Sequence, residues 1–253
     1  MHIHFNHTFP EPIWRLIPSF TNDQTWVVEL RNGPKKEVSF FFIDSNSNIT
    51  QLDTQLDWWT GIEAVAGKNI VFHHYLQPDL PLHQGIKVFD AQQNTWLWEN
   101  EFVVFASADA NTIEAKSSIG SIEQRFCFEI ETGNETNAQP TSAENIGNQA
   151  ILISDEETYF NEIAEYINKF TSFKIHRILE YVETETHIIV SYYVPNKKLF
   201  DNYLLVTTSS GEECIHLCLS EGMKGVAAGT FHVSKGLLSF VKEQTELFIV
   251  EID

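Results

Sequence analysis

Apolar and polar positions along this chain mostly fall into short β-branched and aromatic runs. They cover residues 26–31, 38–43, 70–76, 86–89, 126–130, 187–194, 203–207, 237–242 and 247–252. Each run has strand length, and polar or glycine-containing turns bound most of them. One segment has a different period. Tyr159, Phe160, Ile163, Ala164, Tyr166, Ile167 and Phe170 are spaced three or four apart, which places them on one stripe of a helix over about 155–170. Ser154, followed three residues later by Glu157, reads as a capping box opening that helix. Residues 132–148 are polar and read as a long mobile loop, because strand-like sequence continues on both sides.

The strands repeat. Residues 61–65, a turn at Ala66-Gly67-Lys68 and residues 69–76 form one unit, and residues 229–233, Ser234-Lys235-Gly236 and residues 237–242 share its layout. A third strand follows in each case. The third strands centre near residues 41, 88, 128, 205 and 249, a spacing of roughly forty to fifty except where the polar loop and helix intervene. Such a period predicts an all-β, propeller-like single domain of five blades, each of about four antiparallel strands, with one inserted helix. The blades run over about 12–56, 58–100, 101–153, 172–220 and 226–253. The last has only three strands, and residues 1–5 are expected to supply its fourth and close the ring, because an unpaired edge is a liability. An open β-sandwich or two packed meanders is the competing architecture.

Composition narrows the partners more than the chemistry. The chain has 253 residues, and 16 Lys and Arg against 35 Asp and Glu give a net charge of −19. An acidic surface repels phosphate backbones, so no nucleic-acid partner is expected. The 19 Phe, 7 Tyr and 6 Trp argue against disorder and fill the spaces between blades. No apolar run reaches the roughly 18–20 residues of a bilayer span, so no membrane insertion is expected. Three cysteines do not suggest a disulfide framework. The N-terminal His2-Ile3-His4-Phe5 lacks the pattern of a secretion signal. A cytoplasmic location is the default.

The most distinctive stretch reads Trp58-Trp59-Thr60-Gly61, His74-Tyr75, then Pro78-Asp79-Leu80-Pro81-Leu82-His83-Gln84-Gly85-Ile86, Phe89-Asp90 and Leu97-Trp98-Glu99-Asn100. With Ile13-Trp14-Arg15-Leu16-Ile17-Pro18, it resembles a family of uncharacterised bacterial proteins known only as a domain of unknown function. The resemblance covers most of the chain, with weaker markers in the second half, and implies no activity, cofactor or catalytic residue. Phe89-Asp90 followed by Trp96-Leu97-Trp98 also resembles the blade ends of quinoprotein-like and WD-type propellers. Gln92-Gln93-Asn94 stands here where such blades commonly place a Thr-Gly turn.

In a blade model, the segments leading into the first strands and the loops between second and third strands share one face. That face is expected to carry Trp14, Arg15, Trp58, Trp59, His74, Tyr75, Asp79 and His83. Pro78 and Pro81 stiffen its loop, and a stiff loop beside aromatics is a platform for a protein or small-molecule ligand. The same residues could instead simply pack a blade edge.

Histidines give no metal-binding spacing. His73 and His74 face opposite ways on a strand, and nothing demands that His2, His4, His7, His74 and His83 converge. No metal and no cofactor are expected. Cys214, His216 and Cys218 share one strand face, with successive positions nearly 7 Å apart, too far to gather around one ion without a bend. There is no Gly-x-Ser-x-Gly and no phosphate-cradling loop. Asp57, Asp79, Glu11 and Glu63 are candidate carboxylates for a glycosidase-type channel. A non-catalytic binding or scaffold module is therefore the leading expectation. A hydrolase acting on a sugar or another small polar substrate through a central channel is the alternative.

Overall fold

The computed structural model describes residues 2–21, 23–77, 80–119, 122–141 and 150–252. Among these residues the chain is all-β with one helix, and the strands form five antiparallel sheets with the up-and-down order of propeller blades. It divides into two compact units, Glu11–Ile146 and the combination of Met1–Pro10 with Gly147–Asp253. Strand β1 (His2–Thr8) belongs to the second of these.

The unit Glu11–Ile146 holds three sheets. The first is β2 (Ile13–Pro18), β3 (Trp26–Asn32), β4 (Glu37–Ile43) and β5 (Ile49–Gln51). The second is β6 (Thr60–Ala66), β7 (Asn69–Gln77), β8 (Leu80–Asp90) and β9 (Thr95–Asn100). The third, among the described residues, has β10 (Val104–Ala108), β11 (Thr112–Ile119) and β12 (Ile122–Glu129). Two apolar layers hold them. Phe40, Phe42, Ile62, Phe72 and Phe89 join the first sheet to the second. Ala64, Val71, Val88, Ile113 and Phe128 join the second to the third. The Trp98 indole N–H donates to the Ile130 carbonyl across that second layer, so the abundant aromatics do fill spaces between sheets.

The other unit holds two sheets. Strand β13 (Ile151–Ser154) leads into α1 (Thr158–Ile167), then β14 (Ile178–Glu183), β15 (His187–Asn196), β16 (Leu199–Thr208) and β17 (Glu213–Met223). All five strands make one sheet. Strands β18 (Phe231–Ser234), β19 (Leu237–Lys242) and β20 (Glu246–Glu251) follow. Their sheet has the order β1-β20-β19-β18, so the N-terminal strand supplies its fourth member.

Two expectations need correction. Strand β13 pairs with β14, so among the described residues the third sheet has three strands, with one further bridge from Phe128 to Glu135, and the fourth gains a fifth. The boundaries expected at 101–153 and 172–220 shift accordingly. Ser154 ends a strand and does not cap the helix. Glu157 holds the N-cap position, and its carboxylate accepts from the Ser154 backbone N–H at 2.9 Å, which is half of a capping box. On β17, Cys214 is exposed, and Ile215, Leu217 and Leu219 pack into a core. Residues 142–149 of the polar loop lie outside the described residues, as do Pro78 and Asp79.

The turns explain the regular layout. The β6–β7 hairpin turns at Gly67, whose φ of 60° suits a two-residue hairpin loop. Lys235 and Gly236 both have positive φ in the β18–β19 turn, as a type I′ turn requires. Aspartates anchor other turns. Asp44 accepts from the N–H groups of Asn46 and Asn48. Asp90 does the same for Gln92 and Gln93 and pairs with Lys68 at 2.8 Å. Asp109 accepts from the backbones of Asn111, Thr112 and Thr141.

Burial pushes the Asp109 carboxyl up, but these donors outweigh it and hold the pKa at about 2, below the ordinary 3.8. A carboxyl depressed in the fold stabilises it above the unfolded pKa and loses that contribution as pH falls through the folded one. Asp109→Ala is therefore expected to destabilise the protein by about 1 kcal/mol near neutrality, after allowance for solvent screening. The difference from the parent should shrink between pH 4 and pH 2, read from denaturant midpoints at each pH. No helix among the described residues is long and apolar enough to cross a membrane.

Candidate functional site

The first strand of each sheet in the unit Glu11–Ile146 carries one β-bulge. The extra residues are Trp14 on β2, Glu63 on β6 and Ala106 on β10. A bulge leaves one residue unpaired and re-aims side chains near it. Its effect on β6 is visible in the packing. Ile62 belongs to the layer against the first sheet, whereas Ala64 and Ala66 belong to the layer against the third. Without the extra residue, strict alternation would put Ile62 and Ala64 on one face.

Two side-chain clusters form beside these bulges. The first centres on Arg31 of β3. Its Nε donates to Glu29 at 2.5 Å, and its two terminal nitrogens donate to the carbonyls of Trp58 and Thr60 at 2.6 Å each. The guanidinium carbon lies 4.8 Å from the Trp58 ring centre and 5.9 Å from that of Trp14. Arg15 donates to the Ile62 carbonyl at 2.9 Å. Trp14 remains 66% exposed. Thus Trp14, Arg15 and Trp58 do gather, but around Arg31, which no pattern in the sequence singles out. Arg15 and Arg31 are both committed to carbonyls of β6 and the turn leading into it, so their first role is to join the two sheets.

The second cluster takes one residue from each of three adjacent strands: Glu63 on β6, His73 on β7 and His83 on β8. Gly61 pairs with His73, and Tyr75 pairs with His83, which brings all of these to one face of the sheet. A Cβ on Gly61 would fall 2.8 Å from the His73 ring, so glycine makes room for that imidazole. His83 Nδ1 hydrogen-bonds Glu63 Oε1 at 2.6 Å. His73 Nδ1 lies 3.0 Å from the same oxygen, yet neither of its ring nitrogens makes an aligned hydrogen bond. His73 is only 2% exposed. The two imidazoles stack with centres 3.6 Å apart and planes within 7°, and the Tyr75 ring stands edge-on to both. Burial raises the Glu63 carboxyl, but the two imidazoles against it, His73 in close contact and His83 in a hydrogen bond, outweigh it and hold it below the usual range.

His73 also lines a cavity of about 500 Å³ in the same unit. Leu56, Leu76 and Ile86 give it apolar wall, and Asp57, Gln84 and Asn100 are among its polar groups. Asp57 accepts from the Trp59 backbone N–H at 2.9 Å, and His74 Nδ1 lies 3.7 Å from the same carboxylate oxygen. The Trp59 carbonyl in turn accepts from the Tyr75 N–H at 2.7 Å.

Of the eight expected face residues, Trp59, His74, Tyr75 and His83 therefore lie at this end of the second sheet, while Trp14, Arg15 and Trp58 attend Arg31. His73 and His74 do face opposite ways, as alternation requires, and the buried member belongs to the site. Glu63 and His73 were missed as partners because a regular strand gives no reason to bring them together. His216 on β17 is held by the Tyr192 hydroxyl at 2.6 Å, and the nearby Cys218 thiol is pushed up by burial and by the charges of Glu221 and Asp201.

Residues 21–98 match the model of a domain of unknown function, DUF4905. That span contains the second sheet almost entirely, including Glu63, His73 and His83. No curated protein matches. Among solved structures, a eukaryotic initiation factor is 11% identical with a TM-score of 0.33, covering 84% of this chain and 56% of that one. An acylaminoacyl peptidase from Pyrococcus horikoshii is 12% identical with a TM-score of 0.31, covering 95% of this chain and 36% of that one. TolB from Acinetobacter baumannii is 10% identical with a TM-score of 0.31, covering 89% and 63%. The chain thus spans less than two thirds of the length of each.

Proposed function

We propose that this protein is a non-catalytic binding module and that it takes a small polar ligand, about the size of a sugar, at the second sheet of the unit Glu11–Ile146. The observation that carries this reading is the cavity. Its volume of about 500 Å³ falls within the range of small-molecule sites, which combine apolar walls with a few polar groups. Leu56 and Leu76 offer a surface for an apolar ligand face, and Gln84, Asn100 and Lys87 offer donors and acceptors for hydroxyl or amide groups. Leu76, on the cavity wall, is 53% exposed. Leu82 and Phe102, on the same sheet and on the link that leaves it, also stay exposed. Exposed apolar side chains around polar groups support a contact surface.

Titration with a panel of monosaccharides, amino acids and nucleosides tests this, with NMR shifts and the unfolding midpoint as readouts. At least one class should give a saturable response. Leu76→Trp, which fills the cavity from a half-exposed position, should weaken that response at least tenfold while leaving the unliganded midpoint close to the parent. A response absent from all three classes, or unaffected by Leu76→Trp, would overturn the reading. Turnover of the bound compound would replace the module with the hydrolase alternative.

A further inference from the structure

We infer that Glu63, His73 and His83 bind one divalent transition-metal ion, with zinc as the reference case. Each contributes one ligand atom, and the three atoms all lie within 4.8 Å of one another. Two imidazoles and one carboxylate are a donor set suited to zinc, cobalt, nickel or copper. Magnesium and calcium take all-oxygen shells instead.

The second, independent observation is His73. A buried imidazole normally has both nitrogens engaged, because an unpaired buried polar group is costly. His73 is 2% exposed, and neither nitrogen has a hydrogen-bond partner. Its Nδ1 lies 3.0 Å from the oxygen that His83 already holds, without the alignment of a hydrogen bond. A metal would give that nitrogen a partner. The bulge at Glu63 and the missing side chain at Gly61 are what let the carboxylate and the buried ring meet. The His83 side chain, 32% exposed, gives the site a solvent side for water or another ligand at the open fourth position, which three-ligand sites commonly retain.

The stacked arrangement is the metal-free packing. An imidazole donates its lone pair in the ring plane, and an ion placed between two parallel rings 3.6 Å apart would lie off both planes. One ring must therefore turn. His83 is the ring that can, since its side chain is 32% exposed against 1% for His73. Binding exchanges the His83–Glu63 hydrogen bond for two metal bonds. A metal here stands independently of any organic ligand in the cavity, so loss of one need not imply loss of the other.

The test uses the whole chain, stripped with a chelator and titrated with zinc chloride by calorimetry, and with cobalt chloride by visible absorption. One equivalent should bind, with micromolar affinity or tighter. Cobalt should develop ligand-field bands whose intensity reports four- or five-coordination with nitrogen donors. His83→Ala should weaken zinc binding at least thirtyfold, and its partly exposed position should leave the metal-free fold intact by circular dichroism. Glu63→Gln, which keeps the shape, gives a second variant with the same expected direction. His2→Ala with His4→Ala should leave the affinity unchanged, which excludes capture by the N-terminal strand. Absence of stoichiometric binding, or equal affinity in the parent, His83→Ala and Glu63→Gln, would overturn the assignment. So would loss of binding in the His2/His4 variant alone.

Discussion

Replacing Arg31 by methionine is expected to cost about 3–5 kcal/mol of folding stability, the range for stranding one partner of a buried ion pair. The Glu29 side chain is fully buried and that of Arg31 nearly so. Glu29 already has one carboxylate oxygen, Oε2, without a hydrogen-bond partner. The arginine therefore supplies most of what offsets a charge held away from water. It also satisfies the carbonyls of Trp58 and Thr60, so methionine would orphan acceptors beside the neighbouring sheet as well. The double variant Glu29→Leu with Arg31→Met separates the two costs. It removes the stranded charge and should recover part of the loss, but the two carbonyls keep it below the parent. Urea unfolding of the parent, the single and the double variant gives the comparison. A loss under about 1 kcal/mol in the single variant would match a solvated pair instead.

The pairing scheme that places Arg31 was legible only in part. Strand runs, hairpin glycines and the need for a fourth partner in the last sheet follow from local rules, and β1 does pair with β20. The partner of β13 was not legible. Residues 151–153 are equally strand-like beside β12 or β14, and the choice rests on pairings far apart in sequence. The register of β13 is Ile151 with Tyr181 through Ser154 with Ile178, with the helix lying between these strands in sequence. Nothing in an alternating pattern of four residues encodes that.

The site was lost for a related reason. Alternation correctly separates His73 from His74, and it puts His73 and Tyr75 on one face. It gives no hint of the bulge that brings Glu63 to them. Counted outward from the turn at Gly67 without an extra residue, the hairpin sets Gly61 opposite His74. One bulged residue on β6 moves it opposite His73, the pairing that the fold adopts. The available signal was Gly61 itself, since glycine within a strand often marks a bulge or a near neighbour. The Arg31 cluster was harder to see, because a lone arginine ending a strand resembles any solvated charge. Only the two carbonyls it reaches, 27 and 29 residues away, distinguish it.

Replacing Glu180 by alanine should be the second large loss, about 3 kcal/mol, from charge-assisted bonds removed and donors left unpaired. Glu180 sits on β14, in the unit formed by Met1–Pro10 and Gly147–Asp253, and is 4% exposed. Its carboxylate accepts from the N–H of Gly229 at 2.5 Å, the N–H of Thr230 at 3.0 Å and the Thr230 hydroxyl at 2.5 Å. Gly229 has a φ of 74°, a left-handed conformation that turns the chain just before β18. The carboxylate thus fixes a turn whose two N–H groups have nowhere else on that strand to go. Tyr193 holds the same segment from the other side, since its hydroxyl both donates to the Ala227 carbonyl and accepts from the Ala227 N–H at 3.0 Å. Glu180→Gln discriminates between shape and charge. An amide keeps the volume but presents one N–H2 group to a cluster made only of donors, apart from the hydroxyl, so at least one bond must break. Glutamine should therefore recover less than half of the alanine loss. Hydrogen exchange gives the local readout: the amides of Gly229 and Thr230 should lose protection in both variants, while those of β15 and β16 keep theirs up to the global unfolding limit. Full recovery by glutamine would mean that the carboxylate's charge contributes nothing and that packing alone places the turn.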